Sequence, residues 1–179
     1  MAVHIALLRA INVGGHNKVT MSDLRDLCGN LGLVGATSLL QSGNLVFQSN
    51  RLTGAALEKL LEEETARRLN ISADYLVRSA AEWRKIIARN PFPKEAENDP
   101  AHLLVMFLKT APPANSVDAL RSAIQGPEVI CSDGKQLYIV YPAGIGRSKL
   151  TGALIEKNVG SRGTGRNWNT VLKLAALSR

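Results

Sequence analysis

The sequence predicts an α+β protein built from two ferredoxin-like (α/β-plait) subdomains, each an antiparallel-rich sheet with its helices on one face. Hydrophobic residues make up 45% of the 179 residues and charged residues 21%, as in ordinary globular domains. In the first half, strand and helix patterns follow the order β-α-β-β-α-β, which is the ferredoxin-like unit. A Pro-rich loop, 90–100, precedes the strands of a variant of this series. We place the subdomains at residues 1–79 and 80–179, the second ending in helices and a basic tail.

Apolar periodicity predicts the elements of the first subdomain. An apolar run at residues 3–11 is followed by two glycines and is typical of a strand. Leu24, Leu27, Cys28 and Leu31 have the spacing of one helix face and predict a helix over 21–31. The remaining predicted elements are two strands within 36–48 joined at Ser42-Gly43-Asn44, a helix at 53–69 and a strand at 73–78. We expect both helices on the same face of the sheet.

The second subdomain is predicted by the same criteria. Its Asp133-Gly134 pair is a hairpin signal between two short apolar runs. The predicted elements are a helix at 80–89, a strand at 102–109, a helix at 116–124, strands at 128–132 and 136–141, and terminal helices at 148–158 and 168–177.

Composition and motifs argue against several classes of protein. No stretch reaches the about 20 consecutive apolar residues that span a bilayer, and the N-terminal segment lacks the basic region of a signal peptide. We therefore expect no membrane partner and a cytoplasmic location.

Cys28 and Cys131 lie far apart among apolar residues, as reduced core thiols do. No P-loop, dinucleotide-binding, zinc-protease or C-x-x-C motif is present, so we predict neither a metal nor a cofactor. The sequence does not indicate an oligomeric state.

The net charge of +7 is unevenly distributed along the chain. Residues 135–179 contain eight Lys and Arg residues and a single acid, Glu156, so this segment carries the whole excess. Such a segment attracts phosphates, nucleic acid or acidic metabolites, or forms a solvated basic face without a specific partner. We expect the basic residues within 147–166 to line one positive surface.

Three polar clusters are candidates for a binding site. The first follows strand one and contains Arg9, Asn12, His16 and Lys18 around two glycines, so it can cradle an anion or simply turn the chain. The second is the turn from Gln41 to Asn44, which a hairpin tip also explains. The third combines Lys149 with Arg166, Asn167 and Asn169. In the third, an Asn can cap the last helix, and we expect Arg166 to be exposed.

These clusters lie in segments that resemble a conserved bacterial family, domain of unknown function 1697. The matching segments are ALLRAINVGGHNKV, LQSGNLVF, NPF at 90–92, SKLTGALIEKNVG and RNWNTVLKL. The resemblance implies a pair of ferredoxin-like subdomains and implies no activity. One departure is the Thr164-Gly165 pair, where relatives tend to have Thr-Thr, which puts a role for a hydroxyl at position 165 in doubt.

Three functions fit these observations. In the first, the clusters converge on a cleft between the subdomains and bind a small phosphate- or carboxylate-bearing ligand. Lys18 and Arg166 then supply charge, and Asn12, Asn44 and Asn167 orient the ligand. In the second, the protein binds nucleic acid, although the central strands offer only Phe47 for base stacking. In the third, the protein is an enzyme with His16 as its acid or base.

Overall fold

In the computed structural model, residues 1–12, 15 and 17–179 are described. They form two compact units, one of residues 1–88 together with 173–179 and one of residues 89–172. Within the described part of the chain, no helix is both long and apolar enough to cross a membrane.

The first unit contains a four-stranded antiparallel sheet in the order β2-β3-β1-β4. This order, with a helix after β1 and another after β3, is that of a ferredoxin-like unit, so the predicted fold class is confirmed. Its elements are β1 (Ala2–Arg9), α1 (Met21–Asn30), β2 (Val34–Ser38), β3 (Asn44–Ser49), α2 (Gly54–Leu69), β4 (Asp74–Ser79) and α3 (Ala80–Ala88).

Both α1 and α2 pack on one face of this sheet, as predicted. Leu24 of α1 and Leu57 of α2 are fully buried in one apolar cluster with Ala6, Leu45 and Tyr75 from three strands. Alternate residues of a strand point to the same face, so one face of the sheet supplies all three strand contacts. The helix stripes read from the sequence therefore form the core of this unit.

The second unit repeats the plan with the strand order β6-β7-β5-β8. All its neighbouring strands are antiparallel. Its elements are α4 (Pro93–Asn98), a 3-10 turn (Pro100–His102), β5 (Leu103–Leu108), α5 (Ala114–Ala123), β6 (Val129–Asp133), β7 (Gln136–Val140), α6 (Gly152–Val159), β8 (Gly163–Asn167) and α7 (Trp168–Leu177), whose last residues belong to the first unit.

The sequence patterns predict no strand between the helices at 148–158 and 168–177, where the structure has β8. Glycine is depleted in strands, so a segment that contains Gly163 and Gly165 does not have the sequence pattern of a strand. The sheet requires small residues here: a Cβ atom on Gly163 would lie 2.5 Å from the backbone oxygen of Phe107. A Cβ atom on Gly165 would lie 2.9 Å from a methyl carbon of Leu104.

Candidate functional site

The first unit has a pocket of about 420 Å³ at the N-terminal end of α1. Its lining comes from the loop after β1, the first turn of α1 and the turn between β2 and β3. The described lining residues are Asn12, Gly15, Lys18, Val19, Thr20, Asp23 and Gln41. The pocket therefore lies where the first two polar clusters meet.

Asn12 holds the walls of this pocket together. Its side-chain nitrogen donates hydrogen bonds to the backbone oxygens of Val19, at 3.1 Å, and Gln41, at 3.2 Å. Its side-chain oxygen accepts a hydrogen bond from the Val19 backbone N–H at 2.9 Å. The residue has a φ of 53°, a left-handed conformation that Asn adopts more readily than most residues. Asn12 therefore positions the pocket walls, and both amide hydrogens are already used.

Asn17 ties the same loop to the rest of the unit. Its side-chain nitrogen donates to the backbone oxygens of Ala10 and Ser72, each at 3.1 Å. Its backbone oxygen accepts a hydrogen bond from the Asn12 backbone N–H at 3.1 Å. Since Ser72 lies just before β4, the loop is anchored at a distant point of the chain.

The turn between β2 and β3 presses closely against the end of β1. The Leu8 backbone N–H donates to the Gly43 oxygen at 2.9 Å, and a Cβ atom on Gly43 would lie 2.7 Å from the side chain of Ile11. The buried Asn44 side chain donates to the Leu39 backbone oxygen at 2.7 Å and to the Ser42 hydroxyl at 3.0 Å. Asn44 therefore closes the turn, whereas the side chain of Gln41 is exposed at the pocket.

The charges at the pocket come from Lys18, Asp23 and the end of α1. Thr20 is the N-cap of the helix, and its hydroxyl accepts a hydrogen bond from the Asp23 N–H at 3.0 Å. The remaining N–H groups of the first turn give this end of the helix a positive partial charge. Lys18 is exposed and has no hydrogen-bond or ion-pair partner among the residues that the structure describes.

Arg9, the remaining cation of the first cluster that the structure describes, contacts an acid of its own sheet. Its guanidinium donates a hydrogen bond to the Asp74 carboxylate at 3.2 Å. The two residues are direct partners in the β1–β4 register. Arg9 therefore contributes to strand pairing and is absent from the described pocket lining. His16, the predicted acid or base, lies outside the described residues, so its role stays a prediction.

Arg166 is buried, which corrects the expectation of an exposed side chain. The expectation was wrong because residue 166 lies in β8, opposite Val105, and not in a loop. Its guanidinium donates to the Thr164 hydroxyl at 2.8 Å and the Gly165 backbone oxygen at 2.9 Å. Burial lowers the pKa of Arg166 to about 10, so the group is still charged at neutral pH.

The other predicted residues of the third cluster also belong to the second unit. The side-chain oxygen of Asn167 accepts a hydrogen bond from the Thr170 N–H at 3.0 Å and so caps α7. Trp168 is buried, which is the core placement that large aromatic residues usually have, and Asn169 is exposed on α7. Lys149 is exposed and lines two pockets of the second unit.

Two lining residues of the first pocket, Thr20 and Asp23, were not predicted as site residues because their sequence pattern indicates only the start of a helix. Thr20 and Asp23 have the pattern of an N-cap followed by a first-turn acid, which is enough to explain them by helix stability alone. The structure adds that both line the pocket. Among the described residues, no group of three or more His, Cys, Asp or Glu side chains is arranged to hold a metal ion.

Comparison with known proteins identifies the family. The model of the family described as protein of unknown function (DUF1697) matches residues 1–138, and the chain belongs to this family. A solved structure of the conserved bacterial protein SP0830 from Streptococcus pneumoniae is similar over 99% of both chains, with 25% sequence identity and a TM-score of 0.72. No curated protein matches the chain.

Proposed function

We propose that this family member binds a small phosphate- or carboxylate-bearing ligand in the pocket at the N-terminal end of α1. One observation carries the proposal: the exposed Lys18 lines a pocket of about 420 Å³ together with the first turn of a helix. This volume is within the roughly 300–1,000 Å³ of small-molecule sites. The proposed site is contained in the first compact unit.

Two positive sources act on the same space in this proposal. The ammonium group of Lys18 provides a full charge, and it has no carboxylate partner within the described chain that would neutralise it. The N-terminal end of α1 provides a partial positive charge, which is a common anion-binding arrangement in proteins. The hydrogen bonds of Asn12 hold the wall residues Val19 and Gln41 in place before any ligand arrives, so these contacts need not form on binding.

Asp23 gives the ligand a second requirement. It is the only acid among the described lining residues, and a carboxylate repels an anion that approaches it directly. A ligand that presents its anionic group to Lys18 and a hydroxyl or amino group to Asp23 satisfies both side chains. We therefore favour a hydroxylated phosphate, or a carboxylate carrying a hydrogen-bond donor, over a simple inorganic anion.

The test is a titration of the ¹⁵N-labelled protein with glycerol phosphate and with inorganic phosphate, followed by NMR. We expect saturable shifts of the amides at residues 18–23 and 41, and tighter binding of glycerol phosphate. Lys18→Met should weaken both affinities about tenfold or more, because it removes a charge-assisted contact. Lys85→Met is the matched control, since Lys85 is an exposed lysine of α3 outside the pocket lining.

Asp23→Asn separates the two parts of the proposal. The substitution should strengthen binding of inorganic phosphate and reduce the preference for glycerol phosphate, since the repelling carboxylate is gone. Shifts that map elsewhere, or a Lys18→Met variant that binds as tightly as the native protein, would contradict the site.

A further inference from the structure

The second compact unit contains two adjoining pockets beside the loop between β7 and α6. One has a volume of about 210 Å³ and the other about 450 Å³, and Gln125 and Lys149 line both. We call the combined space the α6 groove. Its lining includes Ile124, Glu128, Arg147, Lys149, Leu150 and Leu154.

The backbone beside the α6 groove is fixed by hydrogen bonds from its own unit. The buried Tyr141 hydroxyl donates to the Leu150 backbone oxygen at 3.0 Å. The Leu150 N–H donates to the Ser148 hydroxyl oxygen at 3.0 Å, and that hydroxyl donates to the Glu128 carboxylate. Hydrogen bonds with Tyr141 and Glu128 thus hold residues 148–150, so the position of the loop does not depend on a ligand.

Two cations flank Ser148 on this fixed loop. Arg147 and Lys149 are both exposed and line the smaller pocket. Neither has a hydrogen-bond or ion-pair partner in the described ranges of the chain. Glu128 is the only acid in the described lining, and its carboxylate already accepts the Ser148 hydroxyl. Two cations and one carboxylate give this end of the α6 groove a net positive charge.

The other end of the groove is aliphatic. Ile124 and Leu154 are half-buried and Leu150 is buried, and all three line the larger pocket with Lys149. Ile124 directly follows α5, Leu150 lies in the loop before α6, and Leu154 lies in the first turn of α6. Lys149 thus stands where the cationic and the aliphatic parts meet. A ligand complementary to both parts carries one anionic group and a short apolar chain.

We infer that the α6 groove is a binding site for an amphiphilic carboxylate. The carboxylate contacts Arg147 and Lys149, and its aliphatic chain lies against Ile124, Leu150 and Leu154. Charge complementarity fixes the orientation of the ligand, and the burial of its chain provides the non-directional part of the affinity. This site is separate from the pocket at α1 and does not depend on the function proposed there.

Octanoate, below the concentration at which it aggregates, is the probe, and the full-length ¹⁵N-labelled protein is the sample. We expect saturable shifts of the amides at residues 124–125, 148–150 and 154. Octanol, which lacks the charge, and acetate, which lacks the chain, should each bind with an affinity at least about tenfold lower than that of octanoate. Lys149→Met should weaken octanoate binding about tenfold, whereas Lys157→Met, an exposed α6 residue outside the groove lining, should leave it unchanged.

Four results would overturn the inference. Octanol binding as tightly as octanoate would remove the role of the cations, and acetate binding as tightly would remove the role of the apolar chain. Native affinity in Lys149→Met would exclude this lysine as a contact. Shifts confined to other parts of the molecule would place the ligand elsewhere. Native octanoate affinity in Lys18→Met is expected, and it distinguishes this site from the pocket at α1.

Discussion

The side-chain amide of Asn12 donates a hydrogen bond to the backbone oxygen of Gln41, 3.2 Å away, and so joins two loops that are 29 positions apart in sequence. The same amide group donates to the Val19 backbone oxygen and accepts from the Val19 N–H. One side chain therefore determines the separation of the pocket walls. This places Asn12 among the residues that build the candidate site, and Lys18 among those that can contact a ligand.

The first prediction concerns the three hydrogen bonds of the Asn12 side chain. Asn12→Ala removes three hydrogen bonds, and we expect the free energy of unfolding to fall by about 1–3 kcal/mol, since each contributes about 1 kcal/mol. Phosphate affinity should fall as well, because the walls lose their spacing. Urea denaturation and the NMR titration measure the two effects. Lys18→Met should lose affinity with little change in stability, and Asn169→Ala, at an exposed site on α7, should change neither.

The sequence could not show whether the side chain of a given Asn contacts the protein backbone or a ligand. The polar clusters were recognisable because amides and cations concentrate at the ends of regular elements, and two of those clusters line one pocket. The direction of an amide depends on the backbone around it. Asn12 and Asn44 both face backbone oxygens, and sequence alone cannot tell a carbonyl partner from a ligand.

The helices were predictable because their apolar stripes repeat at the helical period. The predicted ranges 21–31 and 53–69 correspond to α1 and α2 within one residue at each end. The strand β8 was not predictable, because its glycines are selected by close contact with β5 and not by strand propensity. Arg166 is buried because it lies in that strand, so the missed strand also explains the wrong expectation that its side chain is exposed.

The second prediction concerns His4, which is fully buried in β1 beside Phe47. Both ring nitrogens lack a hydrogen-bond partner in the part of the chain that the structure describes. Burial lowers the pKa of His4 below its ordinary value of 6.5, and the charge of Glu82 opposes this shift in part. The folded state therefore holds a neutral imidazole more strongly than the unfolded state does.

The sign of the pH dependence follows from this shift. Below about pH 6.5 the unfolded chain binds a proton that folded His4 does not, so the free energy of unfolding falls as the pH decreases. His4 alone contributes a slope of up to about 1.4 kcal/mol per pH unit. Urea denaturation between pH 7.5 and 5.5 measures it. His4→Phe should flatten the slope, whereas His102→Gln, at the half-buried partner of Asp99, leaves His4 in place and should retain the contribution of His4. An unchanged slope in His4→Phe would refute the assignment.

The third prediction concerns Arg166 in β8. Its side chain is buried, and its guanidinium donates to Thr164 and Gly165 of the same strand. Arg166→Ala should lower the free energy of unfolding by about 2–4 kcal/mol, since it leaves a cavity and removes these hydrogen bonds. Arg147→Ala, at an exposed arginine of the same unit, should cost less than about 0.5 kcal/mol.

A second substitution separates the packing of Arg166 from its charge. Arg166→Met keeps much of the buried apolar stem, and it removes a guanidinium group whose pKa is lowered by burial. We therefore expect Met to restore part of the stability that Ala loses. Thermal and urea denaturation of the two variants give the comparison. If Arg166→Ala were as stable as the native protein, the arginine would contribute nothing to the stability of the second sheet. The expected loss of stability, with phosphate affinity retained in Arg166→Met, would instead make it a structural residue of the second sheet.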